Sequence, residues 1–332
     1  MVPPSSSSSS SFSSPRHIVI GGIETSVFGL DLLDNSSNGN ASARGLAVLF
    51  FLHGRFGSVA DQRTRKWCDE FVARAHAAKD SPHGRHAKDL VVVAFDQRNH
   101  GKRTVDATRN KGWKDDPKHN SNELDNPAHA VDMVSIQTGT ARDVSLLIDF
   151  FEAATWPNGE RTVTDWYCGG VSLGGHATWI ALAHEPRLSL GIPIIGSPDT
   201  VALLSNRARR LPPPLGPLAF SSPHVPDTFQ KFLARNDPIN VSLDTWRGRK
   251  VCVLSGKDDE LVNYDVGGTA AFVERLQQPD VLGRDGVIDV WVQDGVGHAY
   301  SAEMAERASD FLWRHGLSSA YSEPDRDSTA KI

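Results

Sequence analysis

The stretch of sequence that decides the fold is Trp166-Tyr167-Cys168-Gly169-Gly170-Val171-Ser172-Leu173-Gly174-Gly175-His176. It contains the pattern Gly-x-Ser-x-Gly. The apolar residues before the pattern predict a strand, and residues 176–181 after it predict a helix, so Ser172 falls at a sharp strand-to-helix turn. Gly170 and Gly174 suit this turn, since side chains two positions either side of the serine would collide there. The alternative is an ordinary Gly-rich turn with an ordinary serine.

Short apolar runs and helix-like stretches alternate on both sides of this turn. Each run is four to eight residues long, which is typical of strands that are buried on both faces of a sheet. Strand and helix in alternation predict a mostly parallel sheet with helices on both sides. The predicted strands are 46–52, 90–95, 166–171, 188–195, 251–254 and 287–292, with an edge hairpin at 16–20 and 26–33, and the predicted helices are 61–78, 140–154, 174–184, 264–276 and 302–315.

Two long segments interrupt the alternation. The first, 96–137, is polar, and the second, 199–245, contains six prolines between Pro212 and Pro226. Such long connections are usually lids or binding loops, and both follow strand ends where open α/β sheets bind ligands. We therefore expect a lid-like loop at 96–137 and a small cap at 199–245. Trp113 would pack the lid or line the pocket, and an apolar group in the cap would face the site or the core: Phe220, Phe229, Phe232 and Leu233.

The two ends of the chain differ in composition from the segment between them. Residues 1–15 are Ser-rich and residues 318–332 are polar. Neither segment can bury enough apolar surface to offset the conformational entropy lost on folding, so both are expected to be disordered. The predicted domain is therefore 16–317. The final residues Ala330-Lys331-Ile332 resemble a peroxisomal address only loosely, and a cytoplasmic location is the default expectation because no secretory signal is evident.

Charge and cysteine content exclude several classes of protein. Lys and Arg number 35 against 40 Asp and Glu, a net charge of −5, which argues against a nucleic-acid binder. No apolar run is long enough to span a membrane. The three cysteines, Cys68, Cys168 and Cys252, neither form a disulfide framework nor have zinc-site spacing. We expect no metal and no cofactor.

A serine hydroxyl needs a base and an acid before it acts as a nucleophile. The best candidate base is His298, which follows the small residues Gly295-Val296-Gly297 directly after the last predicted strand. The candidate acids are Asp258, Asp259 and Glu260, which follow strand 251–254. Their order along the chain, serine, acid, histidine, is the order that a strand-turn-helix serine site requires. Alternatively, these acids only cap the next helix.

An oxyanion formed on such a serine needs backbone N–H donors. One candidate is the N–H of Leu173, at the start of the helix. The other is the N–H of Arg55, in the loop His53-Gly54-Arg55-Phe56-Gly57-Ser58 after strand 46–52, where the glycines would allow a close approach. A plain glycine turn is the alternative.

These residues together resemble the α/β-hydrolase superfamily over residues 16–316. The motifs that carry the resemblance are Leu52–Arg55, Asp96-Gln97-Arg98-Asn99-His100-Gly101, 170–175, 256–262 and Gly297-His298. Asn99 stands where the superfamily has a glycine, and Asn263 where a proline is usual. The doubled glycine after Ser172-Leu173 is similar to the dienelactone-hydrolase-like and prolyl-oligopeptidase-like branches. The resemblance implies an eight-stranded, mostly parallel sheet and selects Asp259 over Asp258 as the acid.

The resemblance also implies a reaction. Ser172 at the turn argues against the superfamily's dehalogenases and epoxide hydrolases, which use an aspartate there. A serine hydrolase that cleaves a small to medium ester, thioester or lactone through an acyl-enzyme is expected. The alternatives are a serine peptidase or acyltransferase with the same residues, or a non-catalytic, ligand-binding member. Six Lys or Arg against three Asp between Gly101 and Asn120 indicate either an anionic substrate or a solvated lid surface.

Overall fold

The protein is built on one eight-stranded sheet. The computed structural model describes residues 14–33, 45–79, 87–115 and 122–318. The strand order is β1-β2-β4-β3-β5-β6-β7-β8; β1, β2 and β4 pair antiparallel and all other pairs are parallel, which confirms the predicted sheet. The strands are β1 (Arg16–Ile20), β2 (Ile23–Phe28), β3 (Leu46–Leu52), β4 (Asp89–Phe95), β5 (Val163–Val171), β6 (Leu188–Ile194), β7 (Lys250–Gly256) and β8 (Val287–Gln293).

Helices cover both faces of the sheet. They are α1 (Gln62–Lys79), α2 (His129–Thr155), α3 (Leu173–His184), α4 (Thr200–Arg210), α5 (Asp227–Asn236), α6 (Thr269–Leu276) and α7 (Ala302–Leu312). The central strand β3 is buried on both sides, because alternate residues point to opposite faces. Val48 and Phe50 join the core layer formed with α2, α3 and α6, whereas Leu49 and Phe51 join the layer formed with α1 and α7.

Helix α2 begins earlier than predicted, so the connection before it is shorter than the expected loop 96–137. The helix begins at His129, and Ala130, Met133, Val134 and Gln137 are buried in its first turns at helical spacing. The preceding residue gives no side-chain cap to mark the start. Residues 96–128 connect β4 to α2 with two short 3₁₀ turns in the described part.

A predicted strand and a predicted helix, in contrast to α2, are shorter than expected. The strand predicted at 26–33 ends at Phe28, since Gly29 takes a positive φ of 84° and leads into a 3₁₀ turn. The helix predicted at 264–276 begins at Thr269, after Gly268 with a φ of 85°. In both cases a glycine in the left-handed region breaks the regular backbone.

The proline-rich segment 199–245 contains helices α4 and α5 and packs against the connection between β4 and α2. Leu204, Val225 and Leu233 form a small core with Trp113 and Val134, separate from the two layers on the sheet. The aromatic residues singled out in this segment lie against that core: Phe220, Phe229 and Phe232. The segment therefore shares a small core with the residues before and at the start of α2, while Ile239, Val241 and Leu243 near its end pack against the main core.

Several sequence predictions concern residues outside the described ranges. These are most of the Ser-rich segment 1–15, all but the first residue of the tail 318–332, and with that tail Ala330-Lys331-Ile332. Within the described ranges, no helix is both long enough and apolar enough to cross a lipid bilayer.

Candidate active site

Ser172 lies between β5 and α3 with a strained backbone. Its φ is 55° and its ψ is −108°, a conformation that L-residues rarely adopt. A Cβ at Gly174 would lie 2.2 Å from the carbonyl oxygen of Leu52, and a Cβ at Gly170 would lie 2.7 Å from the carbonyl carbon of Gly174. Only glycine at these two positions allows the turn to pack against β3 and so holds the serine at the strand end.

His298 and Asp259 meet Ser172 at the carboxyl-terminal edge of the sheet. The Ser172 Oγ lies 2.8 Å from Nε2 of His298, and Nδ1 of His298 lies 2.7 Å from Oδ2 of Asp259. Ser172 follows β5, Asp259 follows β7 and His298 follows β8. These parallel strands bring the residues together, although Ser172 and His298 are 126 residues apart in the sequence and His298 and Asp259 are 39 apart. An ionised carboxylate can only accept, so Nδ1 of His298 carries a proton and Nε2 can accept the serine hydroxyl.

Asp259 is the acid that contacts His298, and Asp258 is not. The Asp259 side chain is fully buried, and its Oδ1 accepts hydrogen bonds from the N–H groups of Leu261 (2.9 Å) and Val262 (2.8 Å). Burial alone would raise the pKa of Asp259, but the hydrogen bonds from His298 and the backbone outweigh it and lower the pKa below its usual value. Asp258 and Glu260 are exposed.

The end of β7 allows the loops that carry the acid and the histidine to touch. A Cβ at Gly256 would lie 2.3 Å from the carbonyl oxygen of Val296 and 2.4 Å from that of Gly297. The N–H of Asp258 donates to the same Val296 oxygen at 2.9 Å. This role of Gly256 was not predicted from the sequence, although a glycine directly before a cluster of acids at a strand end was the available signal.

Two backbone N–H groups in the loops around Ser172 are the candidate oxyanion donors. They belong to Leu173, the first residue of α3, and to Arg55 in the loop after β3; neither has an acceptor among the described residues. The loop lies against the turn, because the N–H of Gly174 donates to the carbonyl of His53 at 3.1 Å. A Cβ at Gly54 would lie 3.9 Å from that of Ser172.

His53 holds this loop in place. Its Nε2 accepts from the N–H of Gln97 at 3.1 Å, its Nδ1 lies 2.8 Å from the carbonyl of Gly54, and the Gln97 side chain donates to the His53 carbonyl. Burial lowers the pKa of His53 to about 4, so the ring stays neutral at neutral pH. His53 and Gln97 belong to two of the sequence motifs, but the contact between them was not predicted.

Two cavities adjoin at this edge of the sheet. The active-site cavity, about 810 Å³, is lined by Ser172, His298, Trp67 and Tyr300 among others. A second cavity of about 490 Å³ lies next to it, and Arg55 and Leu261 line both. Among the described residues no group of His, Cys, Asp and Glu could hold a metal ion. The three cysteines are buried and unpaired.

The sequence itself matches no family model and no curated protein, but the structure is similar to several solved structures. TT1662 from Thermus thermophilus has a TM-score of 0.53 and 18% identity, over 90% of this chain and 95% of that one. An acylaminoacyl peptidase from Pyrococcus horikoshii has a TM-score of 0.55 and 14% identity, over 95% of this chain and 43% of that one. A puromycin-hydrolyzing peptidase from Mycobacterium tuberculosis has a TM-score of 0.54 and 14% identity, over 90% of this chain and 38% of that one.

This chain therefore spans only about two fifths of the length of each peptidase but nearly all of TT1662. At these identities the comparison concerns the fold alone. The eight-stranded, mostly parallel sheet and these structural likenesses together show that the chain has the α/β-hydrolase fold.

Proposed function

We propose that the protein is a serine hydrolase that cleaves a small to medium carboxylic ester, thioester or lactone through an acyl-enzyme on Ser172. The observation that carries this proposal is the continuous hydrogen-bonded chain from the Ser172 hydroxyl through His298 to Asp259. An exposed hydrogen bond between a serine and a histidine does not by itself indicate a catalytic site. Here the serine is also strained, the acid is fully buried, and the N–H groups of Leu173 and Arg55 have no acceptor among the described residues.

In the first half of the reaction the hydroxyl of Ser172 attacks the substrate's carbonyl carbon. Its proton passes to Nε2 of His298 as the new C–O bond forms, and the carbonyl electron pair moves onto oxygen. The N–H groups of Leu173 and Arg55 donate to this oxyanion. When it collapses, the bond to the leaving oxygen or sulfur breaks, and the leaving group takes the proton from His298.

In the second half a water molecule replaces the leaving group. His298 takes one proton of the water as its oxygen attacks the acyl carbon, and the same donors bind the second oxyanion. The bond to Ser172 Oγ then breaks, and the serine recovers the proton from His298. Asp259 stays ionised throughout, keeps Nδ1 of His298 protonated and stabilises the imidazolium, which suits its lowered pKa.

The lining of the active-site cavity suits a compact acyl group. Its volume of about 810 Å³ lies in the range of small-molecule sites, and Phe56, Trp67, Leu261 and Tyr300 give it apolar walls. Beside these apolar walls, Asp61 and Arg63 add charge to the lining. A cavity of this volume accommodates a small to medium acyl group.

A fluorophosphonate probe tests the proposal directly, because an activated serine displaces its fluoride and becomes phosphonylated. We expect labelling of the wild type at Ser172 and none of the folded Ser172→Ala or His298→Ala variants, with release of p-nitrophenol from short p-nitrophenyl esters following the same pattern. The matched control is Ser301→Ala, since Ser301 caps helix α7 and lies outside the proposed triad. A folded wild type that neither reacts with the probe nor turns over a broad panel of esters would contradict the proposal and favour a ligand-binding protein.

A serine peptidase is the second candidate, because two of the similar structures carry peptidase names. Both reactions pass through an acyl-enzyme, so the triad does not separate them. Paired substrates with the same acyl group do: a p-nitrophenyl ester and the corresponding p-nitroanilide. We expect the ester to react faster by several orders of magnitude, whereas comparable kcat/KM values for the two would favour the peptidase.

A further inference from the structure

The second cavity carries an unexplained positive charge next to the proposed catalytic residues. We call it the side cavity. It lies between the residues 112–115 that precede α2 and the end of helix α4, and its walls include Arg55, Trp113, His129, Arg207 and Leu261.

Four cationic side chains line the side cavity, and three of them are paired with carboxylates. Arg207 is the exception: no carboxylate lies within 4 Å of it among the described residues. Its Nε and Nη2 both donate to the carbonyl oxygen of Leu261, at 3.2 and 3.1 Å, and its Nη1 has no acceptor among those residues. The three pairs are Arg55 with Asp115 (2.8 Å), Lys114 with Asp125 (3.4 Å) and Arg210 with Glu260 (2.7 Å).

The surroundings leave Arg207 charged and without a carboxylate in contact. Burial lowers the pKa of Arg207 to about 10 and the charge of Arg55 lowers it further, whereas the charges of Asp259 and Asp115, both beyond 4 Å, raise it. The guanidinium therefore stays protonated at neutral pH. Burial lowers the pKa of neighbouring His129 to about 3, and that ring is therefore neutral. A half-buried cation without a contacting carboxylate is only partly compensated, and an anion bound in the cavity would add a direct ion pair.

Arg207 is linked to the proposed catalytic acid through one residue. The carbonyl of Leu261 accepts from Arg207, while the N–H of Leu261 donates to Asp259 at 2.9 Å. Leu261 and Arg55 also line the active-site cavity. The two cavities thus share part of their walls, and a substrate that joins them would extend from Ser172 past these two residues to Arg207.

We propose that Arg207 binds a carboxylate on the substrate, so that the preferred substrates are esters or thioesters whose acyl chain ends in a carboxylate. This inference rests on the proposed function and narrows its substrate class. The guanidinium offers Nη1 for a charge-assisted hydrogen bond while its other nitrogens stay fixed by Leu261.

Four of the six basic residues that first indicated an anionic substrate are paired with carboxylates. Besides Lys114 with Asp125, the pairs are Lys102 with Glu24, Arg103 with Asp143 and Arg109 with Asp132. Arg207 was not among those six and belongs to the proline-rich segment.

Two esters of equal chain length test the proposal: mono-p-nitrophenyl glutarate, which carries a free carboxylate, and p-nitrophenyl pentanoate, which does not. We expect the wild type to have the higher kcat/KM on the glutarate ester. Arg207→Gln should lower the ratio of the two kcat/KM values at least about tenfold, because a charge-assisted hydrogen bond is lost. Arg207→Lys, which keeps the charge, should keep most of the ratio.

Arg209→Gln is the matched control, since Arg209 is an exposed arginine on the same helix outside both cavities. For Arg209→Gln, the ratio of the kcat/KM values on the two esters should stay within about twofold of the wild-type ratio. An unchanged ratio in a folded Arg207→Gln variant, or an equal loss in the Lys variant, would overturn the proposal.

A binding measurement keeps this test separate from that of the proposed function. Free glutarate should raise the Tm of Ser172→Ala, and adding Arg207→Gln should abolish the increase. If neither ester is hydrolysed, the proposed function fails, and the glutarate measurement still decides whether Arg207 binds a carboxylate. No increase in Tm with the single variant would overturn the assignment.

Discussion

Asp259 uses each of its two carboxylate oxygens for a different purpose. One accepts from His298, and the other is held by two backbone N–H groups, so the carboxylate is fixed before it orients the imidazole. Asp259→Asn would place an amide against Nδ1 and favour the wrong tautomer of His298. We expect kcat for ester hydrolysis to fall by about 10³–10⁴-fold, as for the acid of such a triad.

The neighbouring carboxylate provides the control. Asp258 is exposed and only its backbone N–H is used, so Asp258→Asn should leave kcat within about twofold of the wild type. Steady-state kinetics of the two variants on p-nitrophenyl butyrate would decide between the carboxylates. Equal losses in both variants, or the larger loss in Asp258→Asn, would contradict the assignment.

For single residues, the sequence predicts roles that depend on a local sequence pattern and misses roles that depend on contacts with residues distant in the sequence. Ser172 and His298 could be found because each stands at a strand end in a recognisable run of small residues. Asp258 and Asp259 are adjacent, so spacing alone could not separate them; the fully buried position of Asp259 does. Arg207 could not be found, since a missing counter-ion is a property of the folded protein.

At the scale of elements, helix α3 packs so closely on β3 that its first turn tolerates no side chain at Gly174. A Cβ there would lie 2.2 Å from the backbone oxygen of Leu52, which cannot move without displacing β3. Although alanine is the better helix former, we expect Gly174→Ala to lower the free energy of unfolding by about 3 kcal/mol. Urea unfolding followed by circular dichroism measures this change.

Gly54→Ala is the comparison for stability. The nearest atom to its Cβ would be the Val171 oxygen at 3.6 Å, an ordinary contact, so the loss should stay below about 1 kcal/mol. If the two variants were equally stable, close packing at Gly174 would not be what fixes the strand-to-helix turn at Ser172.

Helices α4 and α5 are joined by a buried carboxyl group whose titration should be visible. Asp237 accepts from the N–H of Thr200 at 2.8 Å and from its hydroxyl at 2.6 Å. Burial nevertheless raises the pKa of Asp237 to about 7, aided by the charge of Asp199. The folded state thus binds more protons than the unfolded state between about pH 4 and 7, so stability from this group falls as the pH rises.

We expect Asp237→Asn to flatten this pH dependence. Between pH 5 and 7 the wild type should lose about 1–2 kcal/mol more of its free energy of unfolding than the variant does. Urea unfolding at both pH values measures the difference. The exposed carboxylate Asp227 on α5 gives the control, since Asp227→Asn should follow the wild type. A variant that loses as much as the wild type would show that Asp237 does not titrate in this range.

The strands were predicted more closely than the helices for a physical reason. A strand buried on both faces is a continuous apolar run, and β3 has the predicted bounds. Helix α2 instead mixes polar and apolar residues in its first turns and begins without a side-chain cap, so neither composition nor capping marks His129 as its start. Its early turns are helical because their apolar side chains pack against the proline-rich segment and α3.

At the scale of the whole molecule, the site exists only while the sheet is intact. Its residues follow β3, β5, β7 and β8, and no single helix or loop holds two of the proposed triad residues. The side chain of Phe311 on α7 is fully buried in the core layer with α1, on the face of the sheet opposite α3. Phe311→Ala should therefore cost about 3–5 kcal/mol of unfolding free energy without touching the site.

This arrangement predicts that reactivity and global structure are lost together. As urea is added, fluorophosphonate labelling of Ser172 should disappear at the same midpoint as the far-ultraviolet circular dichroism, in the wild type and in Phe311→Ala alike. The variant's two midpoints should both shift to lower urea by the same amount, because one cooperative unit carries both signals. Labelling lost well before the dichroism in either protein would show instead that the loops at the strand ends open independently of the sheet.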